Sequence, residues 1–233
     1  MKCNYYASGL GGFIGRNLSK HIDVQRYQSN KEGEYVVIHL SAYGNHYYQD
    51  NIGDIIQANI LDLLKMVSEC DERLVKFYNI STSSVTLPKQ TMYSASKLFG
   101  ETFIDALNDE RFVNVRPYSV YGPGEADHRF IPTVIRHLHS GEEMLLDTKA
   151  RHDWIHVDDF IKAMLAGYTS VGTGVNYSNL EIVEMLEIIS GKTLNYKESR
   201  LRSYDNYSWR SPVSVPHRHI YEGLKNTYES FTR

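Results

Sequence analysis

Three glycines spaced three residues apart near the N-terminus constrain the fold of this chain most. Gly9, Gly12 and Gly15 follow a short apolar run typical of a β-strand and precede a stretch with helical periodicity. Glycines in such a turn let the backbone approach a pyrophosphate, whose charge then meets the free N–H groups at the helix start. The pattern therefore predicts a dinucleotide-binding unit of an enzyme, although glycine clusters also build ordinary turns.

The remaining sequence alternates short apolar runs with helical segments. This alternation predicts an α/β fold, a doubly wound, Rossmann-like parallel sheet with helices on both faces. Strands are expected near residues 23–28, 36–40, 74–80 and 112–115. Helices are expected near residues 52–67, 93–107, 130–138, 157–168, 180–189 and 219–231, and the basic, aromatic stretch 197–210 is expected to be irregular.

The N-terminal half is predicted to be truncated on the side that would bind adenosine. Residues 16–38, 23 in all, must hold a helix, a strand and the connection to the next strand. A parallel crossover alone normally takes a dozen residues or more. An acidic residue that binds the adenosine ribose is expected about 20 residues after the glycines, and Gln28 stands near that place. The missing acid permits a 2′-phosphate, which Arg26 could meet.

Composition narrows the class of protein. The formal net charge of −3 implies no attraction to nucleic acid or to a membrane surface. The two cysteines, Cys3 and Cys70, do not make a disulfide framework, and no apolar run approaches the length of a membrane span. With no leader expected before the first strand, we predict a cytoplasmic protein. None of the ten histidines has a familiar metal-ligand spacing, so no metal is predicted.

A tyrosine and a lysine four residues apart are the candidate catalytic pair. Tyr93 and Lys97 would share one face of a helix, and a lysine charge lowers the pKa of a neighbouring phenol. Such a tyrosine can exchange a proton with a substrate hydroxyl while hydride moves to or from a nicotinamide. The same interval occurs twice more, at Tyr27/Lys31 and Tyr221/Lys225. Tyr93 is favoured because its helix follows a strand that ends in hydroxyl residues 81–84, where doubly wound sheets bind ligands; a surface Tyr and Lys is the alternative.

Eight segments, taken in their order along the chain, resemble the motifs of one known family. They are residues 8–15, 37–42, 59–64, 81–85, 93–101, 115–124, 153–159 and 222–227. They resemble the extended short-chain dehydrogenase/reductase family, specifically its NAD-dependent epimerase/dehydratase branch, which acts on nucleotide sugars. The resemblance covers nearly the whole chain. It implies a dinucleotide-binding domain over residues 1–120, to which segments near 151–178 return, and a small domain, mainly residues 121–233, that binds a nucleotide-sugar substrate. By the same analogy, helices 52–67 and 93–107 would pair across a two-fold axis in a homodimer.

The resemblance also assigns roles to residues. Tyr93 is implied as the acid/base, Lys97 as the group that tunes it, and Thr82 as the residue that holds the reacting sugar oxygen. The implied residues for NAD or NADP are Gly9, Gly12, Phe13, Ile14, Gly15, Leu40, Ser41, Ala42, Tyr93, Lys97 and Tyr118. The implied substrate residues are Thr82, Ser83, Ser119, Arg151, His152 and Arg202. Arg202, like Arg200, could equally be a solvated surface arginine.

Several positions depart from the family pattern. Ser83 and Ser84 stand where dehydratases of this branch carry an acidic pair, which disfavours sugar dehydration because a carboxylic acid is needed to protonate the leaving hydroxyl. Ser119 replaces a usual Asn, and His152 replaces a usual Arg, for which Arg151 could substitute. The predicted function is an NAD(P)-dependent nucleotide-sugar epimerase or keto-sugar reductase. The alternative is a catalytically decayed cofactor- or sugar-binding protein, a sensor or scaffold of the same fold.

Two further polar features have a structural and a functional interpretation. Asp158 and Asp159 are expected to cap the helix that begins near Val157 rather than to act as catalytic carboxylates. Asn59, in the 52–67 helix, either orients the active site through backbone or water or is a tolerated polar position.

Overall fold

The computed structural model describes residues 3–46, 48–200 and 209–232. The chain divides into two compact units, Met1–Pro117 and Tyr118–Arg233. Within the described residues, no helix is both long enough and apolar enough to cross a membrane.

The N-terminal unit contains a parallel sheet. Its five strands are β1 (Asn4–Ser8), β2 (Val24–Arg26), β3 (Tyr35–His39), β4 (Leu74–Ile80) and β5 (Phe112–Pro117). They lie in the order β5-β4-β3-β1-β2, and each neighbouring pair is parallel. The chain leaves β1 toward one edge to form β2 and then returns to the other side of β1 to form β3. The loops after β1 and β3 therefore diverge at a topological switch point, where sheets of this class bind ligands.

Helices cover this sheet much as the periodicity predicted. They are α1 (Phe13–His21), α2 (Ile52–Ile56), α3 (Asp62–Ser68) and α4 (Met92–Ala106). The predicted 52–67 helix is confirmed as one continuous helical stretch, but its middle, Gln57–Leu61, is π-helical. A short 3₁₀ segment, Ser83–Thr86, follows β4. The core of the unit is formed by Tyr6, Tyr35, Val37, Leu63, Met66, Leu74, Phe77 and Ile104.

The truncation predicted from the residue count is confirmed. Residues 27–34, all of which are described, connect β2 to β3 without a helix or strand. The link is held by its own polar contacts. The Tyr27 hydroxyl donates to a Glu69 carboxylate oxygen at 2.8 Å. The buried Lys31 ammonium donates to the carbonyls of Ser29 and Glu69 and lies 4.8 Å from the centre of the Tyr27 ring. Burial and the Glu69 carboxylate raise the pKa of Tyr27 well above its ordinary value.

The C-terminal unit combines helices with paired short strands. Its helices are α5 (Phe130–Ser140), α6 (Val157–Leu165), α7 (Asn179–Ser190) and α8 (Ile220–Phe231), all predicted from periodicity. Its strands are β6 (Ser119–Tyr121), β7 (Met144–Leu146), β8 (Arg151–His152), β9 (Trp154–His156), β10 (Ser170–Val171), β11 (Tyr177–Ser178) and β12 (Tyr196–Glu198). β6 pairs with β9 and β7 with β12 in parallel, whereas β8 and β11 are antiparallel. The last two residues of β12, 197 and 198, belong to the stretch 197–210 that was predicted to be irregular, so that prediction is wrong at its start. Residues 201–208 of that stretch lie outside the described part of the chain.

The prediction that Asp158 and Asp159 cap α6 is also wrong. The cap is His156, whose Nδ1 accepts the N–H of Asp158 at 3.2 Å. Burial and the nearby Arg218 charge lower the pKa of His156 to about 4, which leaves the ring neutral and able to accept this bond. The Asp159 carboxylate instead accepts from the backbone N–H and the Nε of Arg218, at 3.0 and 2.9 Å. The two acids therefore hold the segment before α8. Both lie in the first turn of α6, where the helix dipole favours negative charge.

Candidate active site

The glycine turn after β1 packs so closely that side chains are excluded. Gly9 has a φ of +68°, a left-handed conformation that favours glycine. A Cβ on Gly9 would lie 2.9 Å from the carbonyl carbon of Leu40 and the nitrogen of Ser41, and a Cβ on Gly15 would collide with the Gly9 carbonyl oxygen. The Gly12 N–H donates to that same oxygen at 3.0 Å. The turn is therefore a tight cradle beside the loop that follows β3.

The start of α1 is open to an anion. Gly12 is the N-cap, so α1 begins without a side-chain cap. The first turn of α1 carries no acidic residue, and Gly9, Gly11 and Gly12 are exposed. The Arg16 guanidinium donates to the Gly11 carbonyl and adds positive charge at the turn. Free N–H groups, a helix dipole and a nearby cation together suit a pyrophosphate.

A half-buried serine and a buried histidine join the ends of β1 and β3. The Ser8 Oγ accepts the N–H groups of Leu40 and Ser41 at 3.1 Å each and lies 3.0 Å from Nδ1 of His39. Both lone pairs of that hydroxyl are thus used, so its proton is donated to His39 Nδ1. Burial and the Lys97 charge lower the pKa of His39 to about 3, so the ring is neutral with its proton on Nε2. Nε2 is buried without a partner among the described residues.

The candidate catalytic pair lies on α4. Thr91 caps this helix in a reciprocal capping box with Ser94. Tyr93 is half-buried in the first turn, and Lys97 follows one turn later, 4% exposed. The Lys97 Nζ donates to the carbonyl oxygen of Ile80, the last residue of β4, at 2.7 Å. Burial lowers the pKa of Lys97 to about 8, against the opposing effect of the Glu101 carboxylate.

Hydroxyl groups follow β4 immediately. The Thr82 Oγ1 accepts the N–H of Ser84 at 3.2 Å and lies at the same distance from the Ser84 hydroxyl. Ser83 is buried, at 3% exposed, and Ser84 is half-buried. The Ile80 carbonyl that holds Lys97 is two residues before Thr82, so the structure brings these two predicted residues to the same end of β4.

Asn59 connects the π-helical segment to α4, the helix that carries Tyr93. Its Oδ1 accepts the Tyr43 N–H, and its Nδ2 donates to the Tyr43 carbonyl and to the Ser96 hydroxyl, each at 2.8 Å. Ser96 in turn donates to the Tyr93 carbonyl at 2.8 Å. The side chain is 1% exposed, and π-helical turns occur frequently at functional sites. These contacts favour the orienting interpretation of Asn59 over a tolerated polar position.

The substrate residues predicted in the C-terminal unit differ in their surroundings. Ser119 begins β6 and is half-buried. The Arg151 guanidinium donates to the side chain and carbonyl of Asn176 and pairs with Glu181 at 3.0 Å. The His152 ring makes edge contacts with Trp154 and Trp209, with centroids 5.4 and 6.2 Å apart. The half-buried Tyr118 also lies beside Trp209, at 6.1 Å. Arg202 lies outside the described residues.

Comparison with known proteins identifies the family. A family model described as NAD dependent epimerase/dehydratase matches residues 12–182, more than half of the 233-residue chain. The chain belongs to the NAD dependent epimerase/dehydratase family. It is similar to CDP-abequose synthase of Salmonella typhimurium strain LT2, with 26% identity over 194 residues, 73% of this chain and 64% of that protein. With CDP-abequose synthase of Salmonella muenchen it shares 23% over 225 residues, 88% of this chain and 72% of that protein. The matched part of the chain thus spans less than two thirds of the first relative.

Solved structures of other proteins share the fold. MoeE5 in complex with UDP-glucuronic acid and NAD superposes with a TM-score of 0.84 at 20% identity, covering 98% of this chain and 99% of that one. UDP-glucuronic acid 4-epimerase from Bacillus cereus, in complex with UDP-glucuronic acid and NAD, gives 0.85 at 19% identity with the same coverage. At these identities the likeness establishes the Rossmann-like α/β fold predicted from the sequence.

Proposed function

We propose that this family member is an NAD(P)-dependent enzyme that oxidises or reduces a hydroxyl-bearing carbon of a nucleotide sugar, as an epimerase or a keto-sugar reductase. The observation that carries the proposal is the buried Lys97 ammonium, held on the Ile80 carbonyl at the end of β4, one turn after Tyr93. A buried cation one helical turn after a tyrosine, at the ligand-binding edge of the sheet, suits a proton-transferring phenol.

The glycine cradle supports a dinucleotide cofactor. Its close backbone approach and open helix start fit a pyrophosphate, with Gly9, Gly12, Phe13, Ile14 and Gly15 supplying the turn and its amides. Leu40, Ser41 and Ala42 lie beside the turn, since Ser8 holds the first two of them there. The bound nicotinamide would supply hydride transfer. The solved structures with the same fold are described as complexes with NAD. Tyr118 is added to the proposed cofactor residues by analogy with the family.

Proton handling is assigned to three residues. Tyr93 gives or takes the proton of the sugar hydroxyl, and Lys97 stabilises the phenolate by its charge. Thr82 holds the reacting oxygen through its hydroxyl, whose orientation is fixed by the Ser84 N–H. Ser83, Ser119 and His152 are proposed to contact the substrate, while the contacts of Arg151 with Asn176 and Glu181 favour a structural role for that guanidinium.

The proposed reaction is not a dehydration. Residues 81–84, which follow β4, contain hydroxyl groups and no carboxylic acid to protonate a leaving hydroxyl. The shortened connection 27–34 removes structure on the adenosine side, which suits a reductase that exchanges its cofactor better than an epimerase that must retain it. In this proposal residues 1–120 bind the cofactor and residues 121–233 mainly bind the substrate.

The nucleotide sugar is proposed from relatives that differ in their nucleotide. The sequence relatives are named for a CDP-linked product, whereas the structural neighbours are bound to UDP sugars. These names together support the substrate class and leave the base open.

The test is calorimetric titration with NAD, NADH, NADP and NADPH, followed by a turnover screen of nucleotide sugars. Tyr93→Phe should lower turnover by about 10²-fold or more while cofactor affinity is retained. Tyr221→Phe is the matched control, since Tyr221 also precedes a lysine by four residues but lies on α8. Micromolar cofactor binding supports the proposal. Binding without any turnover to lose, or no binding of any of the four, would favour the sensor or scaffold alternative.

A further inference from the structure

The segment that follows β3, residues 40–44, is held by side chains at two points and is called the β3 loop. The Ser8 Oγ accepts the N–H groups of its first two residues at 3.1 Å each. Asn59 holds the loop farther along, since its Oδ1 accepts the Tyr43 N–H and its Nδ2 donates to the Tyr43 carbonyl, both at 2.8 Å. Side chains of β1 and of the π-helical segment therefore fix the backbone path that leads to the end of the loop.

The last residue of the β3 loop, Gly44, packs against both α2 and α4. Its φ of +94° is a conformation that residues with a side chain rarely adopt. A Cβ added there would lie 3.0 and 3.1 Å from Cγ1 and Cδ1 of Ile55, which is 3% exposed on α2. The same atom would lie 3.4 Å from the Cβ of Tyr93 in the first turn of α4. The space beside the Gly44 Cα is therefore bounded by a buried isoleucine and by the candidate acid/base.

The backbone of Tyr93 is held independently of this contact. Its carbonyl accepts the Ser96 hydroxyl at 2.8 Å, and that hydroxyl accepts from the Asn59 amide at 2.8 Å. A closely packed site has no spare volume, so an added methyl group at Gly44 must displace a neighbour. Ile55 is buried whereas Tyr93 is only half-buried, so the tyrosine side chain has more room to move.

We infer that Gly44 is a positioning residue for Tyr93, because its lack of a side chain lets the β3 loop pass against the tyrosine and sets where the phenol lies. This inference rests on the proposed function, in which Tyr93 exchanges a proton with the substrate hydroxyl. The first part of the loop, residues 40–42, is proposed to contact the cofactor, so the loop also sets the spacing between cofactor and phenol. A misplacement of about 1 Å can cost about a hundredfold in rate. The contact at Gly44 therefore acts on turnover rather than on binding.

The variant that tests this inference is Gly44→Ala, and Gly167→Ala is its matched control. Gly167 has nearly the same φ, +92°, but within the described part of the chain a Cβ there would have only its chain neighbours within 4 Å. The control therefore shares the backbone strain and lacks the contact. We expect Gly44→Ala to lower kcat by about tenfold or more. Cofactor Kd and substrate KM should stay within about twofold of the wild type, as should kcat of Gly167→Ala.

Crystal structures of the wild type and both variants give a readout that needs no turnover. The Tyr93 side chain should be displaced by about 0.5 Å or more in Gly44→Ala and should keep its wild-type position in Gly167→Ala. An unmoved Tyr93 in Gly44→Ala, or equal losses of kcat in the two variants, overturns the inference. A wild type that turns over no nucleotide sugar refutes the proposed function, and the position of Tyr93 in the two variants still decides the role of Gly44.

Ile55→Val replaces Gly44→Ala if that variant does not fold. It removes only the Cδ1 atom that packs against Gly44, so the β3 loop can relax away from Tyr93. We expect kcat to fall by about threefold while cofactor Kd is unchanged. A kcat equal to that of the wild type, with Tyr93 in its wild-type position, would contradict the inference.

Discussion

The Lys97 ammonium lies 2.7 Å from the carbonyl oxygen of Ile80, so the helix that carries Tyr93, α4, is held to the last residue of β4. The next polar group along the helix, Glu101, is 2% exposed and binds Arg116 through both carboxylate oxygens, at 2.6 and 2.7 Å. Arg116 belongs to β5, so one helix turn is tied to two adjacent strands. This double attachment fixes α4, and Tyr93 with it, at the carboxyl edge of the sheet.

The burial of Lys97 should make stability depend on pH in the alkaline range. Its pKa is lowered to about 8, below the ordinary lysine value of 10.5, so between these values the unfolded chain holds a proton that the folded protein has released. The contribution of Lys97 to the free energy of unfolding therefore rises with pH across that window, by at most about 1.4 kcal/mol per pH unit. Denaturant unfolding from pH 7.5 to 10.5 should show this rise in the wild type relative to Lys97→Met. Parallel stability curves for the two proteins would contradict it.

The buried imidazole of His39 should make the protein acid-sensitive. Its pKa is lowered to about 3 from 6.5, so as pH falls below 6.5 the unfolded chain binds a proton that the folded protein refuses. Stability from this group is complete above pH 6.5 and is lost progressively as pH falls toward 3. His39→Gln should flatten the decline of unfolding free energy between pH 6.5 and 4. A decline that is as steep in His39→Gln as in the wild type would contradict this prediction.

Loss of the three hydrogen bonds of Asn59 should lower both the free energy of unfolding and kcat. Asn59→Ala should lower the free energy of unfolding by about 2–3 kcal/mol, since each bond contributes about 1 kcal/mol and the Tyr43 backbone loses its partners. Because Ser96 also bonds the Tyr93 carbonyl, we expect kcat to fall by about tenfold or more while KM for the cofactor changes little.

Gln57→Ala is the control for Asn59. Gln57 lies in the same π-helical segment but is exposed, and its side chain bonds Asp62 on the surface. The free energy of unfolding of the Gln57→Ala variant should stay within about 0.5 kcal/mol of the wild-type value. Equal effects of the two variants on stability and on kcat would refute a positioning role for Asn59.

Local patterns predicted the fold well, because they depend on neighbours along the chain. β4 spans Leu74–Ile80 as the apolar run indicated, and the shortened connection before β3 followed from counting residues. Contacts between distant residues were not predictable in this way. The side chains of Asn59 and Ser96 meet across 37 positions, and Lys31 is buried although lysines are mostly exposed. The cap of α6 was missed because burial makes His156 a neutral acceptor, a property that depends on tertiary packing.

An exposed apolar surface on α2 and α4 predicts that the protein is a homodimer. Ile52 and Ile56 of α2 are 53% and 41% exposed, and Leu98 and Phe99 of α4 are 39% and 43% exposed. Apolar side chains clustered on adjacent helices mark an interaction surface, and a symmetric pairing would cover them in both copies. Sedimentation velocity should show a dimer for the wild type and a monomer for Phe99→Glu. Ile188→Glu is the matched control, because Ile188 is 71% exposed on α7 and should leave the dimer intact. A monomeric wild type would disprove the pairing.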